Sequence, residues 1–321
     1  MLQTDIFSPA TLDAVKTIIC HDNCADGTAS AILLKDAFYG KDVNTRFIQY
    51  GTEAHKNLQP EPGMLFCDFS PVPERAQEFV DAGAIVLDHH KTARPVVEMF
   101  DMHGVFGDEV TEPGVCGAVL AFRHVWVPRR GQLAIQKAWA AGFATLAGIR
   151  DTWQKHDSRW RDACIQGNVL HFLSNERWLA RSLTEIASSW DREFRPTGEI
   201  LWDKHQKGIA KTLKGAYHFT TQKGTRVVAF DSLLSSSDAA EALGDEADLV
   251  VGFATMTDNG APQYIFSSRS HTGYDCSAFA KQHGGGGHTA AAGFSIKFDP
   301  TTALNAFGFL KALVEAHEDQ P

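Results

Sequence analysis

At 321 residues the chain is long enough for two domains with separate cores, and 44% hydrophobic against 21% charged residues excludes a disordered or fibrous polypeptide. Thirty Lys and Arg against 39 Asp and Glu leave a net charge of −9, which speaks against a broad duplex-binding surface. A small anion held in a local pocket stays open, above all where metal ions supply the positive charge. No run approaches the roughly 18–20 apolar residues of a membrane span, and residues 1–16 lack the basic-then-apolar order of a secretory signal. The six cysteines follow no disulfide framework, and the one close pair, Cys20 and Cys24, has no second Cys/His pair at zinc-like spacing. Reduced thiols and a cytoplasmic location are expected.

In chain order, residues 15–20 read as a short buried strand, 27–39 as a helix rich in Ala, Leu and Ile, and 43–50 as a strand. Residues 64–67 form a strand ending at Asp68, 73–82 a helix, and 84–87 a strand ending in Asp88-His89-His90. This alternation predicts an α/β fold, a parallel sheet covered by helices. From about 116 to 217 the pattern is helical and carries all seven tryptophans, either as packing anchors or, for one or two, as platforms for a base. Residues 194–198 read as a break, followed by a connecting helix over 199–217. The remainder reads as a smaller α/β unit, with strands over 226–230, 248–256 and 263–268 and helices over 239–243 and 276–282. A glycine run, Gly284 to Gly287, then His288, opens what reads as a short Ala-rich helix. The domains expected are therefore 1–195, a connecting helix over 196–220, and 221–321.

The chemistry-bearing residues fall just beyond strand ends, the edge at which open α/β sheets bind ligands. They are His21, Asp22 and Asp26, then Asp68, then Asp88-His89-His90, with Asp151 further on. Carboxylates with imidazoles suit hard and borderline divalent cations, and such a set could hold two of them. Each piece alone has a plainer reading: Asp22 as a turn former or helix cap, His21 as a surface histidine. The tandem histidines are the more telling, because burying them in a turn demands partners. The glycine run offers backbone N–H groups to an anion, or is an ordinary flexible loop, and Arg269 stands close enough in sequence to grip the same anion.

Together the segments His21-Asp-Asn-Cys-Ala-Asp26-Gly, Asp68, Asp88-His89-His90, Ile-Arg-Asp151-Thr-Trp and Gly-Gly-Gly-Gly-His288-Thr-Ala-Ala-Ala-Gly-Phe resemble the DHH phosphoesterase superfamily, with a DHH-associated domain at the C-terminus. The resemblance spans nearly the whole chain. It implies a hydrolase dependent on two Mn²⁺ ions (or Mg²⁺ or Co²⁺), with its active site between two domains. It implies that Asp26, Asp68, His89 and Asp151 hold one ion and that His21 and Asp68 hold the second, Asp68 bridging. His90 would lie beside the substrate phosphate, while Arg269, Gly285, Gly286, Gly287 and His288 would bind a phosphate from the second domain. Many relatives carry an Asp two residues before or after the one matching Asp26. This chain has Cys24 and Thr28 there, which weakens the second ion position or recruits Asp22 to it.

The activity implied is hydrolysis of short 5′-phosphorylated oligonucleotides or linear dinucleotides to mononucleotides, as by nano-RNases, through water activated by the two ions, with Asp68, His89 and His90 at the chemistry. The alternatives are a 3′,5′-bisphosphonucleotide phosphatase, a cyclic-dinucleotide phosphodiesterase, or a nucleotide-binding protein that has lost catalysis. The partner expected is a short oligonucleotide or dinucleotide, with no duplex DNA and no membrane; the choice between monomer and homodimer stays open.

Overall fold

The computed structural model describes residues 6–131, 134–232, 236–258, 261–298 and 306–319. The chain divides into two compact units, Met1–Trp202 and Asp203–Pro321. In the first, β1 (Thr17–His21), β2 (Asn44–Ile48), β3 (Met64–Cys67), β4 (Ile85–Asp88) and β5 (Gly104–Phe106) form a sheet in the order β2-β1-β3-β4-β5, with every pairing parallel. Alternate residues serve opposite faces. Ile18, Cys20, Leu65, Cys67, Ile85 and Leu87 pack into one core with the helices Ala25–Ala37, Gly117–Ala121 and Ala134–Asp151. Ile19, Met64, Phe66 and Val86 pack into a second core with Phe79, Val96 and Phe100. Burial on both faces explains why these strands read as continuous apolar runs rather than alternating ones.

The predicted α/β architecture is present, and the predicted strand over 64–67 is found as β3. The short β5 carries too little apolar signal to stand out. The break expected at 194–198 is instead a change of helix type. A π-helical turn, Trp190–Phe194, runs directly into the helix Arg195–Lys214, whose Pro196 lies in the first helical turn, where a missing N–H is tolerated. Of the tryptophans, Trp126 and Trp178 are fully buried anchors, their indole N–H groups bonded to Asp36 Oδ2 (2.9 Å) and the Leu170 carbonyl (3.0 Å).

The second unit holds β6 (Tyr217–Thr220), β7 (Arg226–Asp231), β8 (Leu249–Asp258), β9 (Ala261–Arg269), β10 (Gly286–His288) and β11 (Ala291–Lys297), in the order β10-β11-β9-β8-β7-β6. Only the β7–β8 pairing is parallel among the described residues. One face packs Val227, Val251, Phe266 and Phe294 against Phe279, Leu310 and Val314; the other packs Val228, Phe230 and Val250 against Ile209, Ala240 and Leu243. The helix expected after the glycine run is absent: residues 291–297 are strand β11, turned back on β10. The reason lies in close packing and period. Gly287 has φ +142, and a Cβ there would meet Ala292 Cα at 2.5 Å, while burial along β11 alternates through Ala292 and Phe294. No described helix is long and apolar enough to cross a membrane.

Candidate metal centre

Because the first sheet is wholly parallel, β1, β3 and β4 deliver their C-terminal ends to one edge. His21 closes β1, Asp68 follows β3, and Asp88 closes β4 ahead of His89 and His90. Asp26 enters from the first turn of Ala25–Ala37, and Asp151 is the last residue of Ala134–Asp151. Four of them meet at the His89 ring: its Nε2 lies 3.1 Å from Asp68 Oδ1, 3.4 Å from Asp151 Oδ2 and 3.8 Å from Asp26 Oδ2. His21 Nδ1 stands 3.7 Å from the other Asp68 oxygen, Oδ2. Asp68 is fully buried and takes φ +58, a left-handed conformation that Asp adopts more readily than most residues but that still costs about 1–3 kcal/mol.

Neighbouring groups hold these side chains in place. Asp26 accepts from the backbone N–H of Gly117 (2.7 Å) and Ala118 (2.9 Å) and from the Cys116 thiol (2.9 Å). Gly117 is required by the close approach: a Cβ there would stand 2.4 Å from Asp68 Cβ and 2.9 Å from Asp26 Oδ2. Glu109 Oε1 lies 2.9 Å from His89 Nδ1, fixing the ring on the side away from Asp68. Asp88 is buried and oriented inward. Its Oδ1 accepts the His89 and His90 backbone N–H groups (2.8 and 3.0 Å) and lies 2.7 Å from His90 Nδ1; its Oδ2 accepts the Ser70 hydroxyl (2.5 Å) and the Tyr50 hydroxyl (3.0 Å). Glu109, Gly117, Tyr50 and Ser70 gave no signal in the sequence.

The electrostatics are those of negative charge gathered in a buried space. Burial, with Asp68 and Asp151 close by, pushes the Asp26 carboxyl well up, and burial likewise raises Asp151. Burial also opposes ionisation of Asp68, but His21, His89 and His90 overcome it and hold that carboxyl well below the usual range. Against its own burial, His89 is pushed up to about 12 by Asp68, Glu109 and Asp151, and His90 to about 9 by Asp88 and Asp68. The imidazoles thus offset part of the carboxylate charge gathered at this edge.

The donor set fits divalent ions. Asp26, His89 and Asp151 form one group with ligand-type atoms within 4.8 Å of one another, Asp68, His89 and His90 a second, and His21, Cys24 and Asp68 a third. His21 Nδ1 and Asp68 Oδ2 face each other buried and without a hydrogen-bond partner, an arrangement that an ion between them would satisfy. The structure thus brings together His21, Asp26, Asp68, His89, His90 and Asp151. Asp22 is not drawn in: its Oδ1 accepts from Asn175 Nδ2 (3.1 Å). Thr28 likewise points elsewhere, its hydroxyl against the Cys24 carbonyl (3.0 Å) and Asn175 Oδ1 (2.9 Å).

In the second unit, the register sets Arg269 of β9 beside Ala291 of β11, and Ala291 beside His288 of β10. Arg269 is half-buried, its Nε bonded to Ser237 Oγ (2.9 Å) and one terminal nitrogen to Ser267 Oγ (3.0 Å). Gly286 has open space where a side chain would be, whereas a Cβ on Gly285 would meet the Gly293 carbonyl oxygen at 2.2 Å. The His288 side chain lies outside the described residues.

Residues 231–316 match the DHHA1 domain family. That match lies within the second unit. The chain is 24% identical over 293 residues to oligoribonuclease NrnB of Bacillus subtilis (strain 168), covering 85% of this chain and 71% of that protein. Among solved structures, the pGpG-specific phosphodiesterase PggH from Vibrio cholerae matches with a TM-score of 0.56 at 14% identity, over 94% of this chain and 99% of its own. RecJ from Thermus thermophilus, solved with Mn²⁺, matches with a TM-score of 0.56 at 18% identity, over 97% of this chain and 54% of its own. At such identities the structural likeness is one of fold.

Proposed function

We propose that this chain is a phosphodiesterase that hydrolyses short 5′-phosphorylated oligonucleotides or linear dinucleotides to mononucleotides, with Mn²⁺ as its ion. The observation that carries the reading is the convergence of His21, Asp26, Asp68, His89 and Asp151 on one sheet edge, with two of their buried polar atoms lacking a partner. The names of two proteins similar to this chain, an oligoribonuclease and a pGpG-specific phosphodiesterase, support a short nucleotide substrate.

In this reading Asp26, Asp68, His89 and Asp151 hold one ion, and Asp68 and His21 the other. Mixed carboxylate and imidazole donors suit Mn²⁺, with Mg²⁺ and Co²⁺ as substitutes. Two such ions supply a water that is nucleophilic at neutral pH and neutralise charge on the phosphate. Glu109 orients the His89 ring from behind. Asp88, engaged with His90 Nδ1, leaves His90 Nε2 to donate to a non-bridging phosphate oxygen. In the second unit Arg269, Gly286, Gly287 and His288 take a terminal phosphate of the substrate, the Gly285 N–H being bonded to the Ala280 carbonyl (2.9 Å).

The test is product analysis with Mn²⁺ on a 5′-phosphorylated dinucleotide, a 5′-phosphorylated 10-mer, 3′,5′-bisphosphoadenosine, a cyclic dinucleotide and pyrophosphate. Fast conversion of the linear dinucleotide to mononucleotides is expected, with the 10-mer slow and Asp68→Ala slower by on the order of 10³-fold or more. Preferential release of inorganic phosphate from the bisphosphate, or tight dinucleotide binding without turnover, would overturn the reading.

A further inference from the structure

The third ligand group differs in kind from the other two, because it includes a sulfur. Cys24 occupies the N-cap of the helix Ala25–Ala37, a position where Ser, Thr, Asp or Asn would bond to the first turn, yet its side chain makes no capping bond. Capping therefore does not account for it. Its Sγ instead lies within 4.8 Å of ligand atoms of both His21 and Asp68. That is the place where Asp68 Oδ2, fully buried, has no hydrogen-bond partner and faces the equally unpartnered His21 Nδ1 across 3.7 Å. The neighbouring polar residues that could have filled the gap are committed elsewhere, Asp22 to Asn175 and Thr28 to Asn175 and the Cys24 carbonyl.

We propose that Cys24 is a thiolate ligand of the second ion position, completing with His21 and Asp68 a sulfur–nitrogen–oxygen site that prefers borderline-soft cations such as Co²⁺ or Zn²⁺ over Mg²⁺. Thiolate donors select for softer ions, and an all-oxygen set does not. On ligation the thiol gives its proton to solvent and the sulfur its electron pair to the ion, with no change of oxidation state. Among the described residues, of the two ion positions only this one has a sulfur in its ligand group, so the two differ in the metals they retain. The inference rests on the ion-binding reading of this edge.

The experiment is anaerobic titration of the chelator-stripped full chain with Co²⁺, with absorbance and equilibrium dialysis read together, for the parent, Cys24→Ser and Cys24→Asp. The parent is expected to bind two ions and to develop a near-ultraviolet thiolate-to-cobalt charge-transfer band. Cys24→Ser loses the band and weakens one of the two ions by on the order of 100-fold. Cys24→Asp loses the band, retains two ions, and narrows the Co²⁺-to-Mn²⁺ affinity ratio at that position by about tenfold or more. Two bound ions without the band in the parent would overturn the proposal and leave the ion-binding reading standing. Persistence of the band in Cys24→Ser would assign it to another cysteine and overturn the proposal too. Absence of Co²⁺ binding altogether would bring down both.

Discussion

In the proposed reading, the two units meet phosphate in opposite ways. At the edge of the first sheet, side chains do the work: carboxylates and imidazoles, of which Asp26, Asp68 and His89 are buried and His21, His90 and Asp151 are partly open, pack within 4 Å of a neighbour and are anchored by a further layer of donors such as Gly117 N–H and Tyr50 Oη. At the end of the second sheet, a glycine hairpin leaves backbone exposed, with Arg269 as the cation and Gly286 open to its surroundings. Fixed donors suit ions that tolerate little displacement, whereas exposed amides and a forked guanidinium suit an anion that must enter and leave.

Two substitutions probe that contrast, and a third sets a baseline away from it. The largest effect is expected from Gly117→Ala, because its methyl would collide with Asp68 and Asp26 together. Moving both carboxylates should lower hydrolysis about 100-fold, and the overpacking should cost about 1–3 kcal/mol in urea unfolding. An active, fully stable variant would show that the first site tolerates displacement after all. Arg269→Ala should raise KM for a 5′-phosphorylated dinucleotide about 10- to 100-fold, the value of a lost charged hydrogen bond. It should leave Mn²⁺ binding and hydrolysis of bis(p-nitrophenyl) phosphate unchanged; a loss of metal affinity would erase the division of labour.

The smallest effect lies away from both sites. Asp248, partly exposed, is held down to about 2 by its hydrogen bonds to Arg226, partners at 2.6 and 3.0 Å. A depressed carboxyl stabilises the fold above its unfolded value of about 3.9, and the contribution fades as pH falls toward the folded value. Asp248→Asn should therefore cost under about 1 kcal/mol at neutral pH, with the gap to the parent closing as pH drops from about 4 to about 2. Chemical denaturation across that range checks it.

Much of the first site was legible because topology converts sequence into position. Once strands are recognised as parallel, the residues after β1, β3 and β4 must share an edge, and that places His21, Asp68 and His89 together. Gly117 was invisible for the opposite reason: its importance is a contact with Asp26, 91 positions away, that no local pattern announces. Glu109 follows a strand too short to signal itself. The glycine run misled in another way. Ala291 and Ala292 have high helix propensity in isolation, but the packing of Gly287 on Ala292 and the alternating burial through Phe294 draw them into a strand. At 194–198, Pro and Gly read as punctuation, yet a π turn upstream lets the helix run through.

Asp88 points to a constraint on how this edge can change. Five donors from four residues converge on its two oxygens, and through them the backbone of both histidines, the ring of one, and Tyr50 are set at once. Tyr50 in turn accepts the Ser70 N–H at 2.9 Å, which ties the loop after β3 to the end of β4. The aspartate that opens the triplet thus behaves as a keystone: it need never touch an ion or a phosphate, yet no stone around it can be recut alone.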